Sequence, residues 1–245
     1  MHGSIAVYNS GAYNVFATQT HYFGGKTYAL PLTFERQFLP DLEAIPEEIK
    51  RKIKILCLNY PNNPTGSVAT AAFYERAVGM ALRYHWIIIQ DAAYTALSFE
   101  KPLSILQIPR AKECSIELHS ISKGFNMTGW RLGWLCGNDV IIKACGVYKN
   151  NCDSGQFLAI QKAACAGLDN ANTWLPQLRK KYQQRLEHLA DILQKSNFQF
   201  YRPSAGFFLY VAVPKSILSK KDGTTVYFQT AEEFSQWLQI GRAHV

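Results

Sequence analysis

Residues Ile53–Gly66 read I-K-I-L-C-L-N-Y-P-N-N-P-T-G. The first half is a short, β-branched and apolar run, the pattern of a strand buried on both faces. The second half holds two prolines and a glycine, which force a loop. A strand buried on both faces belongs to a sheet covered by helices, and in an open α/β sheet ligands gather at the carboxyl ends of the strands. The plain reading of the loop is a strand-to-helix turn. That reading accounts for the prolines and the glycine but not for the two adjacent amides, Asn62 and Asn63.

The same pattern repeats on either side. Further strands are expected at Ser4–Tyr8, Thr27–Leu32, Trp86–Ile89, Ser115–Ser120 and Leu132–Leu135. Thr70–Tyr84 carries Phe73, Ala77, Met80 and Ala81 at helical spacing. Asn172–Lys195 is a longer amphipathic helix with Leu178, Tyr182, Leu186, Leu189 and Leu193 expected on its buried face. Alternating β and α elements predict an α/β fold, a mostly parallel sheet flanked by helices. Beyond Lys195 the style changes to α+β. Phe198–Tyr201 and Phe207–Val213 read as strands around the turn Pro203–Gly206, a polar loop follows at Ser219–Thr225, and a helix starts at Ala231.

Composition narrows the class. The 245 residues are 48% hydrophobic and only 18% charged, which excludes disorder and predicts extensive burial. No run approaches the roughly 18 apolar residues of a membrane span. The opening M-H-G-S-I-A-V-Y-N-S lacks the basic and apolar regions of a signal peptide, so a cytoplasmic location is expected. Net charge is +8. Lys50–Arg51–Lys52 and Arg179–Lys180–Lys181 lack interleaved aromatics, so a solvated basic surface is the reading and no nucleic acid partner is expected. The six cysteines form no C-x-x-C pair and read as buried, reduced thiols. No H-E-x-x-H accompanies the histidines, and no metal site is expected.

Three further stretches carry possible chemistry. Asp91-Ala-Ala-Tyr94 closes an apolar strand, and a carboxylate there must be paired or functional; a helix-capping Asp beside a packed Tyr is the plain alternative. Ser120-Ile-Ser-Lys123 closes another strand, and a lysine at a pocket mouth can form a Schiff base, although an exposed lysine explains it equally. Gly129-Trp-Arg-Leu-Gly-Trp134 sets Arg131 just before a strand, suited to a phosphate, a carboxylate or a surface ion pair.

Taken together, N-N-P-T-G at Asn62–Gly66, D-A-A-Y at Asp91–Tyr94 and S-x-S-K followed by R at Ser120–Arg131 resemble a class I/II aminotransferase, a fold-type I pyridoxal 5′-phosphate enzyme. The resemblance runs from Ile5 to Leu238. It implies transamination of an amino acid to a 2-oxo acid, with Lys123 forming the internal aldimine and moving the proton between Cα and the cofactor. It implies that Asp91 faces the pyridine nitrogen and that Asn63 and Tyr94 bond the ring's 3′ oxygen. Ser120, Ser122 and Arg131 would hold the phosphate. A β-lyase or related Cα/Cβ chemistry uses the same frame, and a catalytically incompetent fragment is the reading from another class.

The resemblance also implies a homodimer, and a division into a cofactor-binding large domain (1–171), a connecting helix (172–195) and part of a small domain (196–238). Family members are longer at both ends, where the cofactor-stacking aromatic and the substrate-carboxylate arginine are expected. Asn9-Ser-Gly-Ala-Tyr13 is similar to a family loop but lacks its prolines, and Tyr13 is given no role. The spelling S-K-G-F-N-M-T-G-W-R-L-G-W and D-S-G-Q at Asp153–Gln156 is similar to the LL-diaminopimelate and aspartate-like aminotransferases. Residues 239–245 break the pattern of the last helix. Ile240–Val245 matches a translated sequencing-adapter oligonucleotide, so native sequence is expected to end at Leu238.

Overall fold

The computed structural model describes residues 4–9, 15–218 and 223–242. Six strands form the main sheet: β1 (Ile5–Asn9), β2 (Lys26–Leu30), β3 (Ile53–Asn59), β4 (Ile87–Asp91), β5 (Ser115–Ser120) and β6 (Gly133–Gly137). Their order is β2-β1-β3-β4-β5-β6. All neighbours run parallel except β6, which is antiparallel to β5. The reversal sets the start of β6 beside the end of β5, with Gly133 opposite Ser120.

Helix α1 (Val15–Tyr22) links β1 to β2, and the short α2 (Glu47–Lys50) leads into β3. Helix α3 (Ala71–Tyr84) joins β3 to β4. Thr70 caps it, its hydroxyl accepting from the Phe73 N–H at 3.2 Å. His85 stops it in the left-handed region, with φ 58°. Phe73, Tyr74, Ala77, Val78, Met80 and Ala81 are buried, against Leu56, Leu58 and Ile88 of the sheet. Trp86 is sealed beside them, and its indole N–H donates to the Lys50 carbonyl at 2.9 Å. Each such aromatic or branched side chain stabilises the fold by roughly 1.5–3 kcal/mol.

A single helical turn, α4 (Ile121–Gly124), follows β5. Helices α5 (Asp139–Cys152), α6 (Leu158–Asp169) and α7 (Ala171–Lys195) follow β6. The buried stripe of α7 comprises Leu175, Leu186 and Ala190, with Leu178 and Tyr182 partly covered. Leu189, expected on that face, is exposed. A stripe at four-residue spacing from Leu178 reaches Ala190, and the leucine just before it is turned away.

The C-terminal part is built from β7 (Phe200–Tyr201), β8 (Tyr210–Val211), β9 (Ser216–Leu218), β10 (Thr225–Tyr227) and α8 (Ala231–Arg242). β7 and β8 pair antiparallel over two residues each, much shorter than the expected strands. The turn between them bonds to the main body instead. Ser204 N–H donates to Gly66 O at 3.0 Å, Phe99 N–H to Ser204 O at 3.0 Å and Gly206 N–H to Leu97 O at 3.1 Å. β9 and β10 also form an antiparallel pair. Thr225, expected within the polar loop Ser219–Thr225, instead begins β10; residues 219–222 lie outside the described residues. So do residues 10–14 with Tyr13, and 243–245; the backbone of α8 runs on to Arg242.

Two expectations about the surface change. The cysteines are free, but only Cys57 and Cys114 are buried, while Cys152 and Cys165 are exposed. Their helices leave solvent-facing sides uncovered. Lys50 is buried, its ammonium donating to the Glu43 carbonyl at 3.0 Å, so the Lys50–Arg51–Lys52 run is not wholly solvated. No helix among the described residues is long and apolar enough to cross a membrane.

Candidate active site

Asp91 ends β4 between Asn59 of β3 and Leu118 of β5. Its Oδ1 accepts from the Ala93 N–H at 3.1 Å. Burial pushes the carboxyl above its ordinary range, while the Ala93 N–H and the charge of His119 pull it back.

The amide loop after β3 divides its work. Asn62 is buried and builds the loop: its Oδ1 accepts from the Thr65 hydroxyl at 2.8 Å, and its carbonyl from the Gly66 N–H at 2.8 Å. Asn63 faces the site, its Nδ2 donating to the Tyr94 hydroxyl at 3.4 Å. Its own N–H donates to Asn59 Oδ1 at 3.0 Å. Asn59 also donates to the Asp91 carbonyl at 3.3 Å, so one side chain ties the loop to the acidic strand end. Sequence reasoning missed Asn59. The signal was a polar residue at the last position of an apolar strand.

Gly66 has φ +69°, and a Cβ there would lie 2.4 Å from Pro203 Cβ. Only glycine permits both the backbone conformation and the close approach of the 203–206 turn. Tyr94 is buried and packs edge-on against Phe207 and Phe208, at 5.7 and 5.8 Å between ring centroids. Part of the candidate site's wall thus comes from beyond α7.

Ser120 is the N-cap of α4, its Oγ accepting from the Ser122 N–H at 3.1 Å. Ser122 is buried, and its carbonyl accepts from the Thr128 hydroxyl at 2.9 Å. Lys123 is half-buried, and the next residue explains why its turn sits so close. A Cβ on Gly124 would lie 2.3 Å from Ala96 Cβ, so α4 rests directly on the 3₁₀ turn Thr95–Leu97 that follows Tyr94. Arg179 of α7 holds that turn from behind, Nε donating to the Ala96 carbonyl at 2.8 Å. Arg131 is exposed with φ +53°, its Nη1 donating to the Thr128 carbonyl at 3.1 Å. Two residues later Gly133 lies beside Ser120.

Asn63, Asp91, Tyr94, Ser120, Ser122, Lys123 and Arg131 therefore gather at one end of the sheet, on four neighbouring strands. Asn63 and Tyr94 touch directly, Asp91 and Ser120 end adjacent strands, and Arg131 reaches the same end only because β6 is reversed. The set offers two neutral donors, a buried carboxylate, an amine and a hydroxyl–guanidinium pair. Such a set can bind an anionic group and hydrogen-bond a polar ligand.

The family model "Aminotransferase class I and II" matches residues 1–241. The chain is 48% identical over 237 residues to the LL-diaminopimelate aminotransferase of Methanocaldococcus jannaschii, covering 96% of this chain and 55% of that protein. It is 44% identical to the enzyme of the same name from Methanococcus maripaludis, covering 96% and 56%. A solved aminotransferase from Staphylococcus aureus superposes with TM-score 0.87 at 29% identity, over 97% of this chain and 60% of that one. The chain spans a little over half the length of the curated relatives it matches.

Proposed function

The chain belongs to the class I and II aminotransferases, and from that premise we propose that the whole protein uses pyridoxal 5′-phosphate to move an amino group from an amino acid to a 2-oxo acid. LL-diaminopimelate is the first amino acid to test, because the relatives at 48% and 44% identity carry that name. Their names also favour transamination over a β-lyase on the same frame. The observation that carries the reading is the meeting of Asn63, Asp91, Tyr94 and Lys123 at one sheet end, Asn63 bonded to Tyr94.

When bound, the cofactor supplies an aldehyde for amines and a ring that withdraws electrons from the substrate's Cα. Every other task falls to side chains of this chain. Lys123 would hold the cofactor and then move the proton at Cα. Asp91 would accept from the pyridine N–H and keep that nitrogen protonated. Asn63 and Tyr94 would donate to the ring oxygen and fix the ring's angle. Ser120, Ser122 and Arg131 would hold the phosphate. Residues 1–171 would form the cofactor-binding domain and 196–238 part of a smaller one, hinged on the long helix. A cytoplasmic homodimer fits this scheme, supported by the uncovered apolar side chains of α5 and α6.

The test is Lys123→Ala in the full-length protein. Transamination of LL-diaminopimelate is expected to fall by ~10⁴-fold or more. Borohydride reduction followed by peptide mass spectrometry should place cofactor mass on Lys123 in the wild type and nowhere in the variant. Turnover near the wild-type rate would sink the assignment.

Asp91 adds a pH signature. Burial raises its folded-state pKa, so ionising it costs more in the folded chain than in the unfolded one. The stability it contributes is present below the ordinary carboxylate range and lost as pH rises through the raised value. Asp91→Asn is therefore expected to resist urea better than wild type at neutral pH in the cofactor-free protein. The gap should close in acid.

A further inference from the structure

We propose that Glu117, His119 and Cys136 form a binding site for one zinc-class divalent cation on the β5–β6 pair. Glu117 and Cys136 are directly opposite in the antiparallel register, and His119 lies two residues along β5, on the same face. The carboxylate, imidazole and thiol donor atoms all lie within 4.8 Å of one another. Glu117 Oε2 and His119 Nε2 are 3.0 Å apart, close to the separation of two donors sharing a tetrahedral ion. Ligand spacing along one segment does not reveal this set, because the donors come from two strands.

The surroundings are those of ligands already aimed. Glu117 Oε1 accepts from the Ile105 N–H at 2.8 Å, which fixes the carboxylate and leaves Oε2 turned toward the imidazole. The His119 ring lies flat on Trp134, at 5.2 Å and 8° between planes. Outer contacts of this kind orient metal ligands. Glu117 is 3% exposed, and His119 is its one salt-bridge partner among the described residues. A buried carboxylate so placed favours a dication. His119 and Cys136 stay partly open, which gives an ion a way in.

The donor set selects the metal class. A thiol disfavours magnesium and calcium, and mixed nitrogen, oxygen and sulfur suit zinc, with water in the fourth position. On binding, the thiol proton and any proton on His119 Nε2 go to solvent, so that Nε2, a carboxylate oxygen and the thiolate face the ion. The ion would clip β5 to β6, the strands whose ends carry Ser120 and Arg131.

Titration of Co²⁺ into the full-length protein tests this. One equivalent should bind, giving the red d–d bands of a tetrahedral site and a thiolate charge-transfer band, both bleached by Zn²⁺. Cys136→Ser should remove the charge-transfer band and weaken binding by ~100-fold or more, at least the upper end of what loss of an outer-shell partner costs. His119→Asn should weaken binding as much while leaving the thiol in place. The Cys152→Ser, Cys165→Ser double variant should bind as wild type. No saturable uptake, or uptake that survives both Cys136→Ser and His119→Asn, overturns the site. So does loss of the signal with the exposed cysteines.

Discussion

Helices α3 and α5 are each 14 residues long and each follows a strand of the main sheet, yet α3 buries six side chains and α5 none. Their sequences do not differ in apolar content enough to explain this. Along α5 and into α6, Val140, Val147, Tyr148, Phe157 and Leu158 are all 60% exposed or more. The chain as a whole exposes 15272 Å², where a compact monomer of 27.7 kDa would expose about 11,000 Å². The low charge content predicted extensive burial, and around α3 that burial is present. Around α5 the same kind of side chain faces outward. The lesson is that α3 is finished by its own sheet, whereas α5 presents a surface suited to further protein.

Four variants can break or sharpen the contrast. Phe73→Ala empties a fully packed position, and urea denaturation should show a loss of ~3–5 kcal/mol. A loss below ~1 kcal/mol would mean that the α3 core is looser than its burial implies. The caps come next. Thr70→Ala removes the acceptor for Phe73 N–H and should cost ~1 kcal/mol of global stability. Asn138 caps α5 in the same manner, accepting from Ile141 N–H at 3.0 Å. Asn138→Ala should speed hydrogen exchange within α5 more than it lowers global stability, because a helix with no fully buried side chain opens more readily than α3. The smallest effect on the chain belongs to Val147→Ser with Tyr148→Ser. Stability of the 245-residue chain should change by no more than ~0.5 kcal/mol. In the full-length protein the same pair should weaken self-association by sedimentation. Destabilisation of the chain itself by more than ~1 kcal/mol would show that α5 packs inward after all.

Much of the architecture was legible because burial on both faces leaves an unbroken apolar signature. The strands from Ile53, Trp86 and Ser115 and the stripe of α3 are examples. The candidate site was legible because its residues sit where those runs stop. Other features were not written locally. Leu189 looks like a core leucine, yet the stripe of α7 passes through Ala190, whose small side chain carries little weight in a hydrophobic pattern. β9 and β10 are three residues each and mostly exposed, so no alternation marks them. The outward face of α5 has the same periodicity as an inward one. Glu117 gains meaning only across strand pairings, and Asn59 shows in sequence no more than a polar residue closing an apolar strand. Gly66 reads as a turn residue, and only the position of Pro203 shows its second constraint.

That constraint has a consequence for the order in which the protein is made. The six described strands of the main sheet have all been delivered once the ribosome reaches Gly137, and the loop presenting Asn63 was translated well before. Yet the Gly66 carbonyl takes its hydrogen from Ser204, and a backbone group at that seam stays wet until a partner arrives. Domains fold in sequence as they emerge. The Asn63 loop would then be synthesised well before the turn that fixes it, so a nascent chain can hold these six strands and still lack a finished pocket until residue 206 leaves the exit tunnel.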